Sequence, residues 1–197
     1  ADENHAQEAC HAALECQAAL VELNREFALE DRPQLHIRIG LNSGEVSAGY
    51  MGGVERSDYS VLGDAVNLAA RLEGANKEYG TGIMLSDSTH FYIRETFVTR
   101  ELDRIRVVGK REATVIYELV AAVGDPLPFP AGFLPAYEAA LAAYQERRWA
   151  EARECFRAAL AIRPGDAPSE SYLERCEAFL VTPPPPDWDG VFELTSK

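Results

Sequence analysis

In the stretch DYSVLGDAVNLAARLE, residues 58–73, three polar side chains stand where chemistry is possible: Asp64, Asn67 and Arg71. Val66, Leu68, Ala69 and Leu72 recur at helical spacing and supply a buried side. Asn67 and Arg71 are four residues apart, so they lie one above the other on a different side of the same helix. Asp64 occupies the position of an N-cap, and Asn67, three residues on, could complete a local capping arrangement. Arg71 has no capping role. An amide and a guanidinium aligned near the N-terminal end of a helix suit an anion, particularly phosphate oxygens and the sugar beside them. The same spacing also suits an arginine paired with a surface carboxylate such as Glu55 or Glu73, and spacing alone leaves both readings open.

Elements on either side must position this helix. Residues 59–62 read as a short strand entering it, and Gly74 marks its expected end. Upstream, residues 3–30 form an amphipathic helix with Leu14, Ala18, Val21 and Phe27 on its apolar stripe. LHIRIGLN, residues 35–42, alternates Leu35, Ile37, Ile39 and Leu41 against His36, Arg38 and Asn42, the pattern of a half-buried strand. Asn42-Ser43-Gly44 is a turn signal, and EVSAGYMGG after it is expected to return as a hairpin partner of that strand. Downstream, GIMLSD reads as a strand, DSTHFYIRETF as a helix begun by a capping residue, and VTRELDRIRVV and EATVIYELV as two strands joined around Gly109-Lys110-Arg111. Alternating strands and helices make residues 1–123 an α/β domain.

Composition bounds what this domain can do. The 197 residues are 47% apolar and 26% charged, enough for one globular domain and a smaller appendage. A formal net charge of −13 excludes unaided binding to nucleic acid or to an anionic membrane, so a phosphate ligand must be captured locally or carry its own cation. No apolar run is long enough to span a bilayer. Cys10, Cys16, Cys155 and Cys176 are scattered through helical patterns, as expected of reduced thiols in a cytoplasm. Cys10 and His11, with His5 and Cys16 nearby, invite a zinc reading. Neighbours on a helix diverge by about 100° and no second ligand pair follows, so small semi-buried helix residues fit better.

Residues 124–131 carry three prolines in seven positions from Gly124 and read as a linker. Residues 132–182 then form a helical hairpin turning at Arg147-Arg148, plus a third helix begun by Ser169. Residues 183–197 are a Pro-rich tail with one exposed aromatic, Trp188. The hairpin resembles a single tetratricopeptide repeat: Tyr137 and Tyr144 match the first helix's anchors, and Trp149, Ala152, Phe156, Ala159 and Pro164 match the second helix and its end. One repeat buries too little alone, so packing against the domain or its dimer mate is favoured over a peptide groove.

IRIGLNSGEVSAGYMGGVERSDYSVLGDAVNLAARLEG, residues 37–74, followed by IMLSD and by IRVVGKREATVIYEL, closely resembles the second half of class III adenylate/guanylate cyclase catalytic domains. The resemblance covers residues 3–120. It implies an α/β (α+β, ferredoxin-like) fold without its N-terminal strands, followed by the all-α hairpin. In that family the asparagine of VNLAAR orients the ribose and the arginine stabilises the pentavalent phosphorus, roles that pass to Asn67 and Arg71. The family reads the base seven positions before that asparagine, here Ser60, and a hydroxyl there leans towards adenine and hence ATP. The family's triphosphate lysine lies near a VKGK segment. This chain has VVGK, with Val108 in place of one lysine, which leaves Lys110 as the candidate and Arg111 as a substitute.

The family's two metal-binding aspartates and its base-reading lysine precede the helix with which this chain opens, and are expected upstream of Ala1. The resemblance therefore implies two divalent cations, Mg or Mn, bound by residues outside this segment, and a homodimer with active sites across its interface. Expected on this basis is the C-terminal part of an adenylate cyclase, inactive alone, cytoplasmic, and joined upstream to a membrane-anchored sensor. A catalytically silent scaffold that dimerises and binds a protein partner through its C-terminal helices is the alternative from another class. Guanylate cyclase activity is a third reading.

Overall fold

The structure, a computed structural model, describes residues 4–53, 56–106 and 113–193. A five-stranded mixed sheet is its frame. The strands are β1 (Ile39–Leu41), β4 (Ile83–Ser86), β5 (Phe97–Arg106), β6 (Ala113–Ala122) and β7 (Phe192–Glu193), in the order β1-β4-β6-β5-β7. β1 and β4 are parallel, β6 is antiparallel to both β4 and β5, and β7 runs parallel to β5. A separate two-stranded ribbon joins β2 (Ser47–Gly53) to β3 (Arg56–Leu62) in antiparallel register, with Gly49 opposite Ser60.

β4 is buried on both faces because its alternate residues enter different cores. Ile83 and Leu85 meet Ala6, Cys10 and Ala13 of α1 (His5–Leu29) and Ile93 of α3 (Asp87–Ile93). Met84 meets Leu68, Leu72, Ala75 and Tyr79 of α2 (Asp64–Tyr79) on the opposite face. Burial lifts the Cys10 thiol to about 11, so it is a packing residue; Cys16 is exposed, and all four cysteines are free thiols. No described helix is long and apolar enough to cross a membrane.

Three helices stand between β6 and β7: α4 (Phe133–Gln145), α5 (Trp149–Ile162) and α6 (Ala167–Val181). The residues expected as hairpin anchors share one core, in which Tyr137, Tyr144, Ala152, Phe156 and Ala159 are buried with Tyr172 and Trp149 packs against them. Trp188 is half-buried there, edge-on to Tyr144 and Phe179, and is no exposed tail aromatic.

The structure corrects other local expectations as well. The strand begins at Ile39, because the backbone before it is held by α1: Asn24 both donates to Leu35 O and accepts from Leu35 N, and Gln17 donates to Ile37 O. Residues 47–53 pair with β3 and not with β1, whose ladder partner is β4, some forty residues on. α2 passes through Gly74 to Tyr79, since its buried face continues through Ala75, Asn76 and Tyr79 and outweighs the weak helix propensity of one glycine. The N-cap of α6 is Asp166, not Ser169; its carboxylate accepts from the Ser169 backbone and hydroxyl.

Candidate active site

α2 is fixed at three heights. At its start Gly63, not Asp64, is the N-cap: a φ of 149° at this corner between β3 and α2 favours a residue without Cβ, and Asp64 is the first helical residue. The Gly63 carbonyl accepts from Val66 N and Asn67 N. Above this turn Asn42 donates to Ala65 O at 2.9 Å, while its own oxygen accepts from the Ser86 and Ser88 hydroxyls. In the middle, α2 lies directly on β1, where a Cβ on Gly40 would stand 2.1 Å from Ala69 O. Near its end the fully buried Asn76 donates to Ile39 O and Leu72 O and accepts from Thr81 Oγ1. Sequence alone does not single out these asparagines as positioning residues. The available signal, Asn42 in its turn, names a turn and not a clamp.

Held this way, α2 turns Leu68, Leu72, Ala75 and Tyr79 into the core and leaves Asn67 and Arg71 exposed, one turn apart. Ser60 is half-buried on β3, two residues before the strand ends. A single glycine corner thus separates the strand of Ser60 from the helix of Asn67 and Arg71. Glu73, named above as an alternative partner for Arg71, is bonded to Arg38 at 3.0 Å, whereas Glu55 lies outside the described residues. An amide and a guanidinium at the open N-terminal half of a helix can receive a sugar hydroxyl and phosphate oxygens.

Lys110 and Arg111 also lie outside the described residues. Their flanks are described: Arg106 ends β5 opposite Ala113 of β6, and its guanidinium pairs with Asp189 at 2.6 Å. Ala1, the position upstream of which the metal-binding aspartates are expected, likewise lies outside the described residues, which open at Asn4. Among the described residues, no group of three His, Cys, Asp or Glu side chains could hold a metal ion. The described carboxylates therefore do not fit a dinuclear cation site, and no catalytic step is assigned here to a metal.

A cleft of about 340 Å³ lies between β5, α4, α6 and the tail. Its half-buried Glu101, its buried Asp103 and Arg147 already have partners within the chain. Glu101, lifted above its ordinary value by burial, accepts from Gln145; Asp103 is bonded on both oxygens; Arg147 donates to Trp188 O.

Residues 1–121 match the adenylate and guanylate cyclase catalytic domain family. Adenylate cyclase 1 of Rhizobium meliloti is 35% identical over 123 residues, covering 62% of this chain and 18% of that protein. The adenylate cyclase of Anabaena cylindrica is 37% identical over 127 residues, covering 61% and 25%. The chain thus spans a quarter or less of the length of these relatives. Among solved structures, the guanylyl cyclase Cya2 aligns with a TM-score of 0.55 at 29% identity, over 64% of this chain and 62% of that one.

Proposed function

The chain belongs to the adenylate and guanylate cyclase catalytic domain family, and we propose that it contributes the transition-state half of an adenylate cyclase, forming 3′,5′-cyclic AMP and pyrophosphate from ATP. The observation that carries this reading is the exposed pair Asn67 and Arg71, one turn apart on a helix anchored at three heights. Asn67 holds the ribose so that its 3′ oxygen faces the α-phosphorus in line with the pyrophosphate leaving group. The 3′ hydroxyl gives its proton to solvent as its oxygen bonds to phosphorus, the bond to the bridging oxygen breaks, and pyrophosphate carries away the charge. Arg71 meets the negative charge that builds on the pentavalent phosphorus, where a fixed cation counts most. Lys110 is assigned a contact with the triphosphate.

Divalent cations would neutralise the triphosphate and acidify the 3′ hydroxyl, and on this reading their carboxylates come from sequence upstream of Ala1. Two copies pair so that α2 of one protomer completes the site of the other. The exposed apolar side chains of the β2–β3 ribbon support such pairing, among them Tyr50 at 79% exposure, Tyr59 at 66% and Leu62 at 58%.

Ser60 is assigned the adenine contact, supported by its place on β3 three residues before the Gly63 corner. The full polypeptide that carries this chain is expected to turn over ATP in preference to GTP. Ser60→Ala should lower kcat/KM for ATP about fivefold, the worth of one neutral hydrogen bond, and leave GTP turnover unchanged. A steady-state comparison of the two nucleotides checks this. Preferential GTP turnover would move the assignment to a guanylate cyclase, and no turnover of either would favour the scaffold reading.

A further inference from the structure

The family match ends at residue 121, yet the helices beyond it reach back to the C-terminal end of α2. The junction is Asp103, a carboxylate only 2% exposed on β5. Tyr79, the last residue of α2, donates to Asp103 Oδ2 at 2.7 Å. Arg175 of α6 donates to the same oxygen at 2.7 Å, and Tyr172 of α6 donates to Oδ1 at 3.2 Å and to Leu102 O at 2.8 Å. Arg104 N completes the set on Oδ1 at 2.8 Å.

A β-bulge makes this geometry possible. Leu102 has no register partner on β6, so Leu102 and Asp103 are buried in succession and the Leu102 carbonyl is left for Tyr172. Burial raises the Tyr79 hydroxyl above its ordinary value, with Asp103 adding to the effect, so Tyr79 stays a donor. Burial opposes the charge on Arg175, but Asp103 and Tyr172 outweigh it and keep the guanidinium protonated. One more contact lies beside the network: a Cβ on Gly80, the C-cap of α2, would stand 3.2 Å from the Ala167 side chain at the start of α6.

We propose that Asp103, with Tyr79, Tyr172 and Arg175, forms a clamp through which the C-terminal helices set the axial position of α2 and hence of Asn67 and Arg71. Eight residues of helix, about 12 Å at 1.5 Å per residue, separate Tyr79 from Arg71. The intervening stripe of Leu72, Ala75 and Asn76 is buried, so a shift at Tyr79 is carried along a rigid element. The residues of the clamp are positioning residues; none touches the nucleotide. The proposal rests on the cyclase reading for its effect on rate, while the clamp itself is measurable without turnover.

The test uses the full polypeptide with Tyr79→Phe, which deletes a single oxygen, and Arg175→Met as a second variant. Hydrogen exchange in the first two turns of α2 is expected to accelerate in both. In turnover, kcat for ATP is expected to fall about five- to tenfold with KM changed less than about twofold. In an Arg71→Ala background, Tyr79→Phe should cost clearly less than in the wild type, because the part of the clamp's effect that runs through Arg71 is already lost and only that through Asn67 remains. Exchange that rises in α6 alone, or an equal loss of kcat in both backgrounds, overturns the clamp. If the cyclase reading fails while the clamp holds, neither ATP nor GTP is turned over and α2 exchange still accelerates in both variants.

Discussion

Replacing Arg71 with alanine in the full polypeptide is expected to lower kcat for cyclic AMP formation by about 100- to 1000-fold, the size of one lost donor to a transition-state oxyanion. Arg71 is exposed on α2, and the core beneath the helix is made by Leu68, Leu72, Ala75 and Tyr79. Its removal therefore leaves folding intact, and the thermal transition should move by no more than other surface substitutions do. If Arg71 meets charge only as the phosphorus becomes pentavalent, kcat and kcat/KM fall together and KM stays put. A rise in KM at unchanged kcat would make Arg71 a ground-state phosphate contact instead. Unchanged turnover with intact folding would remove it from the site.

The second large effect is on stability. Arg100, 1% exposed on β5, is expected to be the costliest single substitution in the molecule. Its Nε and Nη2 reach Glu118 of β6 at 2.8 and 2.7 Å, and its Nη1 reaches Asp166, the cap of α6, at 2.8 Å. Tyr137, Phe129 and Phe133 lie under the guanidinium at 4.8, 5.2 and 5.5 Å. Burial alone would favour the neutral form; Glu118, Tyr137 and Asp166 reverse this and hold the group protonated above its ordinary value. Arg100→Met fills the space but leaves the half-buried Glu118 and the buried Asp166 without their shared partner, and of the two only Asp166 keeps an ion pair, with Arg163 at 3.1 Å, among the described residues. The expected loss is about 3–5 kcal/mol, the cost of breaking a buried pair on one side. A lower urea midpoint at unchanged slope, with sheet and helices unfolding in one transition, would show it. Separate transitions for the sheet and for α4–α6, or a midpoint unmoved by Arg100→Met, would contradict it.

The same residues mark how far the sequence could be read. Asn67 and Arg71 were legible because helical spacing is local: four residues along α2 are enough to put both on one side. The apolar face of α2 followed from periodicity for the same reason, but that of α1 did not: Ala6, Cys10 and Ala13 are its buried residues, whereas Ala18 and Val21 of the expected stripe are exposed. β1 was misread because its partner is parallel and some forty residues away, while the adjacent Asn42-Ser43-Gly44 signal pointed to a hairpin. Asn24 and Gln17 shortened it by satisfying backbone groups that a strand would have paired. Nothing in VTRELDRIRVV sets Arg100 and Asp103 apart from its other charged residues. The burial of these two depends on a bulge at Leu102, which inserts a residue without any compositional mark, and on Asp166, Tyr172 and Arg175 more than sixty positions later. The tail was misjudged in the same way: Trp188 and Asp189 acquire their roles only once α4 and β5 stand beside them.

One result would bear most directly on the claim that this chain supplies the transition-state half of a shared site. Two full-length variants are purified, one carrying Arg71→Ala and the other lacking the cation-binding carboxylates assigned to sequence upstream of Ala1, and cyclic AMP formation is measured for each and for their mixture after subunit exchange. Each alone should be nearly silent. The mixture should recover roughly a quarter of wild-type activity, because random pairing makes half the dimers mixed and each mixed dimer holds one intact site. A mixture no more active than the sum of its parts would contradict a site completed across the dimer by Arg71.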